Sequence, residues 1–504
     1  MNATRSVAKN TILLTVGLFS GRVLALFLRK KMTPLLGPDG MGVLYTAIGV
    51  FTILLTVSRF GLGILLTREV TRARELTWPL FWSTIRIRWL ISAAGYLFLF
   101  GYLTALGYDE VTRTAVLLLA AGIFIESVGL ACDSVLQAQE KVQYQTAGQI
   151  ASAVVYFGLG WWWLSAGYGL MGVIWANLLS QAARLAVMAP LMFAKTGPWR
   201  RPGPGEPAAP GVREMARLGL PLFLATTFAV IYTKIDIIML ERMIGEAAAG
   251  IYGQGHQAFD TMLLVPGLLG TALFPAMARY GMKGVGDTVR MGERATRFMM
   301  AAVLPLTLLI TFVSGPIIAW FDPDPRWAPA VPVMQIVIWG LPLQAAATVL
   351  NRLLITADRE KVFVVIGLVA MVANIVLNAF LIPRFSYFGA SWATIVSLAI
   401  SFGLHVFYLE RTPYRTPLVR AVLGPTVACA AAWLATAGLV GLVFPGWGIA
   451  WTGLPLERGW GPFLGACLVM AVLYPVALLG MRVITAGDLR LLRELAGRGD
   501  AAEN

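Results

Sequence analysis

Apolar residues in this chain fall into successive blocks of about 20, separated by short polar connections, and a helix of that length crosses roughly 30 Å of hydrocarbon. Hydrocarbon offers a backbone no hydrogen-bond partners, so such blocks must be helices. Only 13% of the 504 residues are charged and 58% are hydrophobic, with a mean hydropathy of +0.73, too little charge to clothe a soluble protein of this length. Glycine (52) and proline (27) recur inside the blocks, as membrane helices tolerate. The expectation is an all-α polytopic membrane protein of about fourteen transmembrane helices. Spans are expected near residues 11–28, 41–66, 91–106, 115–136, 147–164, 170–192, 218–240, 251–276, 298–320, 332–355, 362–381, 390–409, 421–444 and 463–481.

The net charge of +14 raises the question of nucleic acid, and the placement of the charges answers it. With the N-terminus inside, 28 of the 40 basic residues fall in inner connections, 8 in outer ones and 4 (Arg22, Arg59, Arg184, Lys234) within spans. That is the positive-inside bias of a membrane protein with both termini cytoplasmic, and no nucleic-acid partner is expected. The first block follows Arg5 and Lys9, lacks a small-residue cleavage site and contains Arg22, so it reads as a retained span. Three cysteines without paired spacing and two histidines leave no metal site or cofactor to expect.

Residues 195–213 (KTGPWRRPGPGEPAAPGVR) are too rich in proline and glycine for a helix and form a cytoplasmic linker. The segments on either side resemble each other. Gly37-Pro-Asp-Gly-Met-Gly42 before Tyr45 recurs as Gly245-Glu-Ala-Ala-Ala-Gly250 before Tyr252, and Gly172-Val-Ile-Trp175 recurs as Gly389-Ala-Ser-Trp392, at offsets of 208 and 217. Six spans per repeat is an even number, so the repeat is parallel, as in transporters that bind cargo between halves. The expected organisation is a six-helix bundle over 1–194, the linker 195–213, a second bundle over 214–410, two additional helices over 411–482 and a cytoplasmic tail over 483–504.

Several ordered motifs resemble the polysaccharide flippases of the multidrug/oligosaccharidyl-lipid/polysaccharide exporter superfamily. They include Gly21-Arg22-Val23-Leu24, Leu36-Gly37-Pro38-Asp39-Gly40-Met41-Gly42, Arg59-Phe60-Gly61-Leu62-Gly63 with Arg68-Glu69, Ile235-Asp236-Ile237, Phe274-Pro275 and Asn374-Ile-Val-Leu-Asn378 before Leu381-Ile382-Pro383. The resemblance covers essentially the whole chain. It implies a V-shaped pair of bundles that flips an undecaprenyl-(pyro)phosphate-linked oligosaccharide or cell-wall precursor by alternating access, as a monomer among membrane lipids, served by glycosyltransferases or a polymerase of the same pathway. In the peptidoglycan-precursor branch, arginines line the cavity from the first two spans; Arg22 matches one, Arg59 lies near another, and Arg29 is one residue from a third. The Asp-Arg pair of that branch's eighth span is Asp260-Thr261 here, which favours the broader polysaccharide branch.

A charge at bilayer depth costs roughly 2.5–3.5 kcal/mol, so each must face a wet cavity or a partner. Arg22 and Arg29 are seven residues apart on one helical face, and with Arg59 they form a candidate patch for a pyrophosphate, which guanidinium grips bidentately. Lys234 is a further substrate-binding candidate. The bland alternatives are a structural pair of Arg22 with Glu126 or Asp133, an interfacial role for Arg29, and an anchor role for Arg184 at the inner end of its span. Asp236, Asp260 and His256 are candidates for ion coupling, His256 and Asp260 sharing a face at a spacing of four. Asn374 and Asn378 read as helix glue, and Trp161 to Trp163 as an interfacial belt.

Two other classes compete. A drug or cation antiporter wants an acidic cavity without arginines, which Arg22 and Arg59 oppose. A membrane glycosyltransferase wants paired catalytic carboxylates in a large outer loop, and the longest outer connection, residues 445–460, holds only Glu457. No enzyme activity is expected, and no Gly-Lys-Ser/Thr loop provides for nucleotide binding.

Overall fold

A computed structural model describes residues 2–196, 212–281, 284–443 and 461–484, and every regular element among them is helical. Most of the expected linker, the connection at 445–460 and most of the tail lie outside the described residues. The chain divides into two compact units, Met1–Gly250 and Ile251–Asn504. Unit 1 contains α1 (Asn2–Arg59), α2 (Leu62–Arg72), α3 (Thr77–Ala105), α4 (Glu110–Ala138), α5 (Val142–Ser165), α6 (Gly169–Thr196), α7 (Val212–Met243) and the start of α8 (Glu246–Met262). Unit 2 takes the rest of α8 and α9 (Leu264–Gly281), α10 (Val285–Phe321), α11 (Ala330–Val337), α12 (Gly340–Thr356), α13 (Val362–Glu410), α14 (Leu418–Val443) and α15 (Gly461–Gly480). In sequence α7 opens the second repeat, but it packs on α1 and α2 and so joins unit 1.

Nine helical stretches among the described residues are long and apolar enough to cross a membrane; Val362–Glu410 holds two expected spans, and Gly21–Arg72 holds one with the end of another. At 1.5 Å per residue the 58 residues of α1 extend about 87 Å, nearly three bilayer cores. The helix is broken at Gly37 (φ 64°, ψ −177°), a left-handed conformation that suits glycine, which separates the two spans. In α13 the break falls at Ser386 (φ 49°, ψ −132°), three residues after Pro383. Other expected spans are interrupted: 251–276 between α8 and α9, and 332–355 between α11 and α12. The second span ends at Arg59 rather than near residue 66, because Phe60 (φ 44°) and Gly61 (φ 68°) are left-handed and the chain restarts as α2.

The repeated glycine motifs have a packing reason. A Cβ on Gly42 would stand 1.9 Å from the Glu246 carbonyl oxygen, and one on Gly250 would stand 1.9 Å from the Pro38 carbonyl oxygen. The two copies of the motif lie backbone against backbone, each glycine making room for the other helix.

One buried cluster in unit 1 sets up the site described next. Helix α2 buries Leu62, Leu65, Leu66 and Val70, a stripe at helical spacing, against Phe81 and Ile85 of α3, Cys132 and Val135 of α4, and Met188 and Met192 of α6. Where the alternative is water, each such side chain contributes about 1.5–3 kcal/mol. That packing anchors a polar cleft on its border.

Candidate functional site: an arginine cleft in unit 1

A cleft of ≈ 980 Å³ opens where α1 breaks into α2, lined also by α3, α4, α5, α6 and α7. The left-handed turn at Phe60 and Gly61 leaves Arg59 at the end of α1 with its side chain exposed at the cleft. Arg68 follows from α2, Arg88 from α3 and Arg184 from α6. Against these four guanidiniums the lining has two carboxylates, Glu126 and Asp133. Glu69 pairs with Arg68 at 2.9 Å, and counting it still leaves guanidiniums in excess.

Glu126 and Asp133 are seven residues apart, so α4 presents both on one face. Arg184 spans them: Nη1 donates to Glu126 Oε1 and Nη2 to Asp133 Oδ2, with all three side chains at most 13% exposed. Both carboxylates thus belong to Arg184 rather than to Arg22, and Arg184 is the centre of an ion-pair triad rather than an anchor at the end of its span. Arg88 is 1% exposed; its Nη1 donates to the Ser127 carbonyl at 3.1 Å, while its Nε has no partner among the described residues. Ser58, hydrogen bonded to Ser92 (2.8 Å) and Ser127 (3.1 Å), fixes the helices around it. Arg184 Nε, Asp133 Oδ1 and Gln149 Oε1 also lack partners among the described residues. The cleft therefore carries net positive charge and buried donors with hydrogen-bonding capacity left over, the chemistry that receives a diphosphate oxygen.

Sequence reasoning placed Arg59 in a cavity but assigned Arg88 to an inner connection. The clue was the run Ile85-Arg-Ile87-Arg-Trp89, in which Ile85 and Ile87 are buried and α3 continues upstream to Thr77. The cleft lining takes in neither Arg22, Arg29 nor Lys234 among the described residues. Arg22 is exposed on α1, and Arg29 lies over the Tyr45 ring at 5.5 Å. On α7, Lys234 is half-buried and Asp236 is 1% exposed. In unit 2, His256 Nδ1 stands 3.6 Å from Asp260 Oδ2, with the rings of Tyr252 (5.4 Å) and Phe259 (5.3 Å) beside it. Asn378 Nδ2 donates to Asn374 Oδ1 at 3.0 Å along α13.

Helices of membrane length around a buried cationic cleft define a transporter-like membrane protein. The polysaccharide biosynthesis protein family matches residues 7–281, more than half of the chain, and the chain belongs to that family. The MatE family matches residues 221–380. Over 226 residues the chain is 25% identical to the probable flippase AglR of Haloferax volcanii, covering 44% of this chain and 46% of that protein, so the match spans about half the length of that relative. Among solved structures, the lipid II flippase MurJ in an inward closed conformation superposes with a TM-score of 0.69 at 15% identity, over 92% of this chain and 98% of that one. An inward-facing multidrug resistance MATE family transporter of the MOP superfamily gives 0.64 at 13% identity, over 80% and 98%. The MATE multidrug transporter DinF-BH gives 0.60 at 17% identity, over 82% and 97%. At those identities the likeness concerns the fold.

Proposed function

We propose that this protein is a flippase that carries a lipid-linked saccharide across the bacterial cytoplasmic membrane by alternating access, and that the arginine cleft of unit 1 receives the (pyro)phosphate of its carrier lipid. The observation that carries the reading is the excess of guanidinium over carboxylate in a cleft whose arginines keep unpartnered donors. A cation exporter would gain nothing from such a lining. Family membership and the half-length match to a probable flippase support the same direction. Arg59, exposed at the cleft, makes first contact with the anion; Arg88 and Arg184 lie deeper. Arg22, Arg29 and Lys234 are further contacts of the cargo, and Asp236, Asp260 and His256 couple its movement to an ion. The termini and the linker at 195–213 are cytoplasmic, in keeping with the 28 basic residues on that side.

The test uses cells that lack their own flippase and reads delivery of saccharide to the outer face. A guanidinium that grips two oxygens is not replaced by an ammonium. Arg59→Lys should therefore impair delivery and Arg59→Ala abolish it, at normal amounts of protein in the membrane. Full delivery by Arg59→Ala would sink the anion-site reading and favour the drug antiporter.

A further inference from the structure

We propose that the amide wall of the arginine cleft, formed by Gln137, Gln145 and Gln149, binds the sugar bonded directly to the carrier's pyrophosphate, so that the cleft receives the junction of sugar and diphosphate and not the anion alone. This rests on the (pyro)phosphate reading of the same cleft and deepens it.

The wall is built at a helix corner. On α4, Gln137 follows Asp133 by four residues and shares its face. The chain then turns through Glu140, which is left-handed (φ 58°), and restarts as α5 at Val142. Gln145 and Gln149 are again four residues apart and stand one turn above the other on α5. All three line the cleft. Across the corner Gln137 Nε2 donates to Gln145 Oε1 at 3.4 Å, and Gln145 is 8% exposed. One turn further, Gln149 is half-buried, and its Oε1 is buried with no partner among the described residues.

Other neutral groups of the lining have already spent their protons on backbone. The Thr56 hydroxyl donates to the Thr52 carbonyl at 2.8 Å, Thr67 to the Ser134 carbonyl at 3.1 Å, and Ser134 to the Leu130 carbonyl at 3.0 Å. An amide oxygen left without a donor is different, because it costs free energy until a donor reaches it. The terminal torsion of glutamine is soft, so a small turn of the amide presents that oxygen to a ligand in the cleft. What answers it must carry an O–H or N–H. A charged phosphate offers only acceptors, and an acyl chain or an apolar drug offers neither. A sugar hydroxyl both donates and accepts, as an amide does, and of the parts of the cargo it is the one that fits.

The two walls also meet where the cargo requires. A Cβ on Gly148 would stand 3.2 Å from the Arg184 carbonyl oxygen and 3.4 Å from Arg184 Cγ, so α5 and α6 touch there. Gln149 is therefore next in the chain to the contact with Arg184, whose guanidinium holds Glu126 and Asp133. Sugar and diphosphate share one bridging oxygen and need adjoining neutral and cationic surfaces. At ≈ 980 Å³ the cleft is as large as a site for a drug-sized ligand, more than a diphosphate fills.

The test titrates the full chain in nanodiscs with two esters of equal charge: polyprenyl pyrophosphate bearing one hexose, and the same lipid bearing a methyl group. Glucose, galactose and N-acetylglucosamine are tried in turn. The wild type should bind at least one of the sugar esters about tenfold tighter than the methyl ester, the effect of one or two neutral hydrogen bonds. Gln149→Met is close in length and has no amide; it should lose most of that factor, and Gln145→Met part of it. Both variants should still prefer the methyl ester to the polyprenol without phosphate. Failure of the anion reading shows separately, as equal binding of the methyl ester and the polyprenol by the wild type. Equal binding of the methyl ester and all three sugar esters by the wild type, or an undiminished sugar preference in Gln149→Met, would overturn the sugar wall. So would a Gln149→Met that loses the phosphate preference as well, since the residue would then serve the anion or the fold.

Discussion

Unit 1 holds a cleft of ≈ 980 Å³ bordered by arginines, carboxylates and amides; between α10 and α14, unit 2 holds a cavity of ≈ 170 Å³ lined by Leu304, Leu308, Cys429 and the stacked pair Phe312 and Trp433, 5.3 Å apart. Buried polar groups divide the same way. In unit 2 many are neutral and answer one another: Tyr252 with Thr394 (3.1 Å), His405 with Asn351 (3.0 Å), Asn378 with Asn374 (3.0 Å). His256 with Asp260, and the buried Asp322, which accepts from Trp327 Nε1 at 3.0 Å, add ionisable groups. Unit 1 buries neutral groups as well, but it adds charged ones, and Arg88, Asp133, Arg184 and Glu241 each keep an atom without a partner among the described residues, where in unit 2 such atoms belong to neutral side chains such as Asn374 and Tyr474. Polar groups that satisfy each other hold helices together, whereas charged groups with capacity left over are suited to a visiting ion. One repeated helical pattern thus supports two interiors of different chemistry.

The largest expected effect falls on the triad. Arg184→Ala strands Glu126 and Asp133 in the interior and should cost about 3–5 kcal/mol of stability, read by thermal unfolding of the purified protein. Combining Arg184→Gln with Glu126→Gln and Asp133→Asn removes all three charges and should recover most of that loss while delivery stays impaired. Arg184→Ala as stable as the wild type would erase the contrast between the units.

A smaller and more even effect is expected at the glycines. Gly42→Ala meets the Glu246 carbonyl at 1.9 Å in unit 1, and Gly389→Ala meets the Leu381 carbonyl at 2.3 Å in unit 2. Each forces a backbone shift of about 1–3 kcal/mol, measurable in the same unfolding assay. Similar losses in both would show that the scaffold is alike where the chemistry differs. The smallest effect belongs to Tyr252→Phe, which removes one neutral hydrogen bond while Thr394 keeps its bond to Ala390. It should cost about 0.5–1.5 kcal/mol and leave delivery per folded molecule unchanged; a loss of delivery would give unit 2 a share in the cargo site.

Helicity was legible because apolar blocks of membrane length allow nothing else. The repeat was legible in glycines whose purpose appears only in packing, where Gly42 and Gly250 admit each other's helix. Span boundaries were less so: the breaks at Gly37 and Ser386 fall in expected connections, but the left-handed pair Phe60 and Gly61 ends the second span at Arg59, inside an apolar block that runs on to Leu66. Within the cleft, Arg59 could be found because a charge stands out in an apolar block. Arg88 escaped because it lies where the block begins, and Arg184 because its partners are 51 and 58 residues away. Glu126 and Asp133 stood out as acids in an apolar block, but the cation they share is Arg184, not the Arg22 to which either was offered as a partner. The hydrogen bond from Thr112 to Glu246, 134 residues apart, leaves no trace in local pattern.

The central claim is that the cleft of unit 1 recognises a lipid phosphate. Purified protein in nanodiscs can be titrated with a polyprenyl pyrophosphate and with the same polyprenol lacking phosphate. The account predicts that the pyrophosphate binds at least about tenfold tighter, the effect of one charge-assisted contact worth about 1.4 kcal/mol. It also predicts that Arg59→Ala removes most of that preference and that raising the salt concentration weakens it. Equal binding of the two lipids, or an undiminished preference in Arg59→Ala, would contradict it.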